Sequence, residues 1–143
     1  MLNERLQDYQ ILENQKLADQ IYRMTLLGDT SWVKKPGQFL NIAIDNAYLR
    51  RPISICEQRA DQLVIIYKTV GFGTRQLAGK QPGERINALI GLGNGFTVNE
   101  QPALLLGGGV GVPPLYGLAK ALAKQRIPAI AILGFNQRSD VFY

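Results

Sequence analysis

Ala103-Leu104-Leu105-Leu106-Gly107-Gly108-Gly109-Val110-Gly111-Val112-Pro113-Pro114 is where the texture of this 143-residue chain changes. The apolar burst is too short for a helix and suits a buried parallel strand. The glycine run is a tight turn, and a helix starts at Val112 or Pro113, because proline is tolerated in the first turn. Leu115, Leu118, Ala119, Leu122 and Ala123 recur at i, i+3, i+4, i+7 and i+8, one apolar helical face. Ala129 to Leu133 reads as a second buried strand. Together these make one βαβ unit before Phe142-Tyr143. A doubly wound domain uses about twice this material or more, because both faces of its sheet must be covered. Residues 100–143 are therefore expected to be the start of a truncated doubly wound domain; the alternative is that a partner chain completes the sheet.

Working back from Asn99-Glu100-Gln101-Pro102, the expected domain boundary, the pattern is β from residue 6 to about 90. Tyr22, Met24 and Leu26 alternate with Ile21, Arg23 and Thr25, the period-2 signature of a strand. Lys35-Pro36-Gly37 and Gln81-Pro82-Gly83 are turn signals. Phe39 to Ile44 places Leu40, Ile42 and Ile44 on one face. Arg51 to Cys56 and Arg85 to Ile90 are further strands, and Leu63 to Thr69 is a strong one, rich in β-branched and aromatic residues. About six short strands at close spacing indicate a small antiparallel barrel or sandwich over residues 1–99. A brief helix is expected after Gly73, with Thr74 as N-cap and Gly79 as terminator. The fold class is thus β + α/β.

Composition narrows the chemistry. Apolar residues are 46% of the chain and charged residues 19%, enough for a real core. No apolar run approaches the ~20 residues of a membrane span, and Met1 to Arg5 starts no signal peptide. There is no His, which excludes His acid/base chemistry, Ser-His-Asp triads and His-ligated metals. The single Cys56 excludes internal disulfides, Cys-rich zinc sites and Cys-ligated iron–sulfur clusters, and a reduced, cytoplasmic setting is the expectation. The net charge is +5, and residues 50–85 hold seven bases against three acids. Such a basic middle suits a phosphorylated cofactor or an acidic partner. Without a basic helix or basic residues interleaved with aromatics, nucleic acid is not the expected partner.

Four motifs carry the chemistry. In Arg50-Arg51-Pro52-Ile53-Ser54-Ile55, an arginine fork suits phosphate oxygens, and Ser54 adds a hydroxyl beside a strand edge. In Ile66-Tyr67-Lys68 followed by Gly71-Phe72-Gly73-Thr74, Tyr67 offers a face for a planar ring system and Gly73-Thr74 opens a helix whose free N–H groups favour an anion. Singly, Arg51 reads as a surface ion pair and Tyr67 as a core side chain; as an ordered set they read as a dinucleotide site. Gly107 to Gly111 brings backbone amides toward a pyrophosphate at a helix start, or is a tight turn without a ligand. It is neither G-x-G-x-x-G nor a P-loop. Gly91-Leu92-Gly93-Asn94-Gly95-Phe96 is a sharp turn where backbone approaches something closely, as a linker or as part of the site, with Phe96 expected between the domains.

On these residues the sequence resembles the ferredoxin reductase-like flavoproteins, in which a β-barrel FAD domain precedes a nicotinamide-binding α/β domain. Pro36-Gly37-Gln38-Phe39-Leu40, the Arg50 to Ile55 segment, Gly91 to Phe96 and Gly107 to Tyr116 are similar to the electron-transfer subunits of NAD-linked bacterial dihydroorotate dehydrogenases, over nearly the whole chain. The resemblance implies that Arg51, Pro52, Ile53 and Ser54 hold the FAD phosphates and flavin. It implies that Ile66, Tyr67 and Lys68 lie along the flavin and ribityl chain, and that Gly73 and Thr74 contact the pyrophosphate. Gly107, Gly108, Gly109 and Gly111 would approach NAD, and Arg138 to Tyr143 would start the next loop and helix. It implies an FMN-containing catalytic dihydroorotate dehydrogenase subunit as partner in a hetero-oligomer, with electrons from dihydroorotate passing through a [2Fe-2S] cluster and FAD to NAD in pyrimidine biosynthesis. No catalytic residue is assigned; Ser54 is the one candidate to influence hydride transfer. The family's cysteine-rich cluster segment has no counterpart here, so the chain is expected to be truncated, unable to hold the cluster and inactive alone. The competing expectations are a reductase subunit of the sulfide dehydrogenase type and a non-catalytic remnant acting as a binding module.

Overall fold

The computed structural model describes residues 3–143. Six strands close a barrel: β1 (Leu6–Ala18), β2 (Ile21–Leu27), β3 (Phe39–Ile42), β4 (Arg51–Gln58), β5 (Gln62–Lys68) and β6 (Arg85–Leu92), in the order β1-β2-β5-β4-β3-β6. Every pairing is antiparallel. Closure leaves no unpaired sheet edge. The 13-residue β1 makes it possible, pairing through Leu6 to Gln10 with β6 and through Gln10 to Ala18 with β2.

The alternation read from the sequence fills the barrel. Met24, Leu26, Leu40, Ile42, Leu63, Ile65 and Ile90 are fully buried inside it. The α1 helix (Phe72–Gly79) closes one end by inserting Leu77. Asn14 of β1 holds the C-terminal turn of α1, donating to the carbonyls of Leu77 at 3.0 Å and Lys80 at 2.9 Å. At the other end Gln38, itself buried, accepts from the backbone N–H groups of Lys34 and Lys35 and donates to the carbonyls of Gly91 and Gly93. The glycines at 91, 93 and 95 all have positive φ. A Cβ on Gly91 would lie 2.2 Å from the Trp32 carbonyl oxygen. The close approach predicted for this segment is therefore to the barrel's own Trp32–Gln38 loop, and Phe96 packs on Gly37 of that loop rather than between domains.

Register breaks once in β4, between Ile55 and Glu57 against β5. This bulge lets Ile55 face the barrel core while both Cys56 and Glu57 face outward, Cys56 into a second apolar cluster and Glu57 to Lys120.

After the barrel, β7 (Ala103–Gly108), α2 (Pro113–Lys124) and β8 (Ala129–Gly134) form the expected βαβ unit, with β7 and β8 parallel. Leu115, Leu118 and Leu122 of α2 bury Leu105; Ala123, placed on that face by its spacing, is exposed. The expectation that β8 is buried does not hold, since every residue of it is exposed. The reason is coverage: α2 shields one face of a two-stranded sheet, while Leu104, Leu106, Ile130 and Ile132 on the other are 59–68% exposed. Arg138–Asp140 forms a 3-10 turn where the resemblance implied the approach to a helix. Phe142 and Tyr143 then lie against the barrel wall, Phe142 with Ile21, Cys56 and Ile66, and Tyr143 stacked on Tyr116 with its hydroxyl 3.1 Å from the Cys56 sulfur. Burial pushes the Cys56 thiol and the Tyr143 hydroxyl above their usual pKa values. No described helix is long and apolar enough to cross a membrane.

Candidate functional site: a groove at the barrel mouth

The β4 strand starts at Arg51, and its guanidinium folds back to donate to the Leu49 carbonyl at 2.6 Å. No ion pair engages it among the described residues, so the surface-salt-bridge alternative is not realised. Instead it lies across the start of α1: a Cβ on Gly73 would sit 2.7 Å from the Arg51 Nε. Only glycine lets the guanidinium approach the first turn of a helix, where backbone N–H groups have no partner within the helix. Positive charge and free amide donors thus converge, the arrangement that takes a phosphate.

The helix begins three residues earlier than expected. Gly71 is its N-cap, and Thr74 stands at the third helical position. There the Thr74 hydroxyl reaches back to accept from the Val70 and Gly71 N–H groups at 2.9 and 3.2 Å. This is half of a capping box, and it fixes the turn that presents Gly73. Gly79 is the last helical residue and Lys80 the C-cap.

Beside Arg51 a cleft of about 230 Å3 is lined by Pro52, Ile53, Ser54, Ile66, Tyr67, Lys68 and Thr74, all expected, and by Val70 and Val110. Tyr67 corrects the sequence reading. It is 3% exposed, its ring stacks on Tyr22 at 5.9 Å, and its hydroxyl donates to Asn14 Oδ1 at 3.0 Å. Burial holds that hydroxyl above its ordinary pKa. The ring belongs to the core and offers no platform for a planar ligand. Its β5 register next to Ile66, whose side chain joins the outer cluster, explains this.

The glycines of 107–111 divide. A Cβ on Gly107 would strike Leu115 Cδ1 at 2.6 Å, so this glycine serves strand–helix packing. Gly108 and Gly109, the latter with φ +51, line a second cleft of about 550 Å3 with Ile21, Lys68, Val110, Asn136 and Asp140. Gly111 closes the 3-10 turn and lines neither cleft. Lys68 and Val110 line both clefts, which are therefore neighbours. Val70, Asn136 and Asp140 were missed from sequence. The signal for Val70 was an exposed apolar residue next to the helix start, and Asn136 and Asp140 carry none without the topology that folds their loop onto β7.

A dinucleotide of flavin fits this groove. An Arg51 without an ion-pair partner among the described residues and the helix start beside a Cβ-free Gly73 suit a pyrophosphate, and the cleft runs between the start of β4 and the end of β5, beyond the stretch over which those two strands pair, where a flat ring system can lie. Tyr67 does not take part in stacking it.

A closed antiparallel barrel joined to a βαβ unit is the architecture of ferredoxin reductase FAD-binding domains and the start of their nicotinamide domain. The chain superposes with a TM-score of 0.86 at 26% identity on an NADH-dependent reduced ferredoxin-NADP oxidoreductase, covering 94% of this chain and 51% of that one. For phthalate dioxygenase reductase the TM-score is 0.78 at 21% identity, covering 93% of this chain and 44% of that one. For the Neisseria gonorrhoeae ferredoxin NADP+ reductase with bound FAD and NADP it is 0.80 at 17%, covering 96% and 60%. In sequence the chain is similar to the electron transfer subunits of dihydroorotate dehydrogenase B (NAD(+)). It is 46% identical to that of Bacillus velezensis over 93% of this chain and 56% of the relative. To that of Fusobacterium nucleatum it is 45% identical, over 97% and 58%. It therefore spans a little over half the length of the curated relatives it matches. No protein-family model matches the chain.

Proposed function

We propose that this chain binds FAD in the groove at the barrel mouth and takes part in passing electrons from dihydroorotate oxidation to NAD. Arg51 and the N–H groups at the start of α1 would hold the pyrophosphate. Pro52, Ile53 and Ser54 of β4, with Ile66 and Lys68 and the Tyr67 backbone of β5, would flank the flavin and ribityl chain. Gly108 and Gly109 would receive the nicotinamide nucleotide, with residues 1–99 serving as the FAD domain and 100–143 as the first part of the nicotinamide domain. When bound, FAD supplies the redox chemistry. The protein's own residues supply charge, close backbone approach and a shaped surface; Ser54 is the one hydroxyl among them on the β4 edge.

One observation carries the reading. The two clefts are neighbours that share Lys68 and Val110 in their walls, which would set a ligand in one beside a ligand in the other. The name of the relatives, an electron transfer subunit of an NAD-linked dihydroorotate dehydrogenase, supports a catalytic dihydroorotate dehydrogenase subunit as the electron donor and assembly with it; an FMN in that subunit, a [2Fe-2S] centre in the longer relatives and a cytoplasmic site of action rest on the family resemblance alone. Titration of the purified chain with FAD, followed by visible absorption and flavin fluorescence, tests the binding. Arg51→Ala is expected to weaken it by about ten- to a hundredfold, the value of one or two charge-assisted hydrogen bonds. Equal affinity would remove Arg51 from the site, and no uptake of FAD by either protein would favour a binding module without cofactor.

A further inference from the structure

The groove uses the first half of β4. The second half borders a separate cleft of about 510 Å3, with the loop before β3 on one side and α2 on the other. Lys34 and Lys35 of the loop and Lys120 and Lys124 of α2 stand around it, over Pro36 and Ile55. Lys120 and Lys124 are one helical turn apart and share a face. Lys120 is held by Glu57 at 2.5 Å, and Glu57 also accepts from Arg59. No ion pair engages Lys34, Lys35 or Lys124 among the described residues.

Glu57, which also lines the cleft, compensates Lys120 and leaves Lys34, Lys35 and Lys124 as three lysines around one concavity, whose mutual repulsion an entering anion relieves. The loop carrying two of them is fixed in advance: the N–H groups of Lys34 and Lys35 both donate to buried Gln38, at 2.7 and 3.0 Å. The cleft is small-molecule sized and lies where two structural units meet, a place binding sites favour. Lysines, unlike arginines, act as point charges and suit an anion with several equivalent oxygens.

We infer that this cleft binds a small polyanion of the oligophosphate class, which bridges the barrel loop and α2. The site is separate from the flavin groove and stands or falls without it. Calorimetric titration with inorganic tripolyphosphate, on protein carrying Arg51→Ala so that the groove's own anion site does not compete, tests it. Saturable one-to-one binding is expected. Lys35→Gln with Lys124→Gln should weaken it by about tenfold or more, since each removes an attractive charge from the cleft. Lys16→Gln with Arg75→Gln removes the same charge elsewhere and should leave the affinity within about twofold, because screening erases distant charges. Circular dichroism of both double variants confirms that they fold. Absence of binding, or equal weakening by the two pairs, overturns the inference. Neither result bears on FAD uptake, which is measured on the unsubstituted chain.

Discussion

Arg51 and Glu57 sit on one strand and are handled in opposite ways. Among the described residues Arg51 keeps its charge unmatched by any carboxylate, whereas Glu57 meets two cations, Arg59 and Lys120. Burial opposes the charge on Glu57, but hydrogen bonds from Arg59 and Lys120, with their positive charges, outweigh it and hold the carboxyl below its usual pKa. A carboxylate with a lowered folded-state pKa contributes stability that is complete above its unfolded pKa and is lost as pH falls through the folded value. Glu57→Gln is therefore expected to cost about 1.5–3 kcal/mol near neutrality. The gap to the unsubstituted protein should shrink on acidification below the ordinary carboxylate range. Urea midpoints for the two proteins across that range check it; a gap independent of pH would show that the pair contributes through shape alone. Sequence reasoning named Arg51 because its fork and its Pro-Ile-Ser neighbours carry a local pattern. Glu57 was passed over and Gln38 was quoted only as part of a motif, because Lys120 and Gly91, the partners that give them their place in the fold, lie 63 and 53 residues away and no spacing announces them.

At the scale of elements, the strands were legible because alternation is a local property that burial on one side enforces. Met24 with Leu26, and Leu40 with Ile42, went inward as read. The start of α1 was misjudged because Thr74 is a good N-cap residue, yet the same hydroxyl works equally well at the third helical position when Gly71 precedes it. Tyr67 was misread for a related reason: an aromatic on a strand looks alike whether its ring faces a ligand or the core, and only the β2–β5 register, which sets Tyr22 opposite Tyr67, decides. Glycines also differ by element. Gly91 has φ +64 and a backbone oxygen where its Cβ would be, whereas Gly83 has φ +93 and open space. Gly91→Ala is expected to lower stability by about 2–4 kcal/mol and Gly83→Ala by about 1 kcal/mol, the cost of conformation without a clash. Thermal melts of both variants separate the two effects; equal losses would mean that the β6 end moves freely away from Trp32.

Across the whole molecule, protection is uneven. The barrel is closed and filled, while the two-stranded sheet has one bare face and a free edge on β8. Hydrogen exchange is expected to find β2 and β5 amides protected to near the global limit and β8 amides open on a far shorter timescale. Equal protection would mean that β8 is covered in solution by a second molecule. Residues 103–134 could be read as βαβ because the unit is contiguous, but the bare face could not, because burial depends on what else packs there. The bulge at Cys56 has a consequence that reaches the whole molecule. Because it turns two neighbouring side chains outward, one strand grips two later parts of the chain, α2 through Glu57 and the Phe142–Tyr143 pair through Cys56; deleting Cys56 would restore strict in-and-out alternation, leave the Glu57 carboxylate on its helix and release those two rings from the barrel wall.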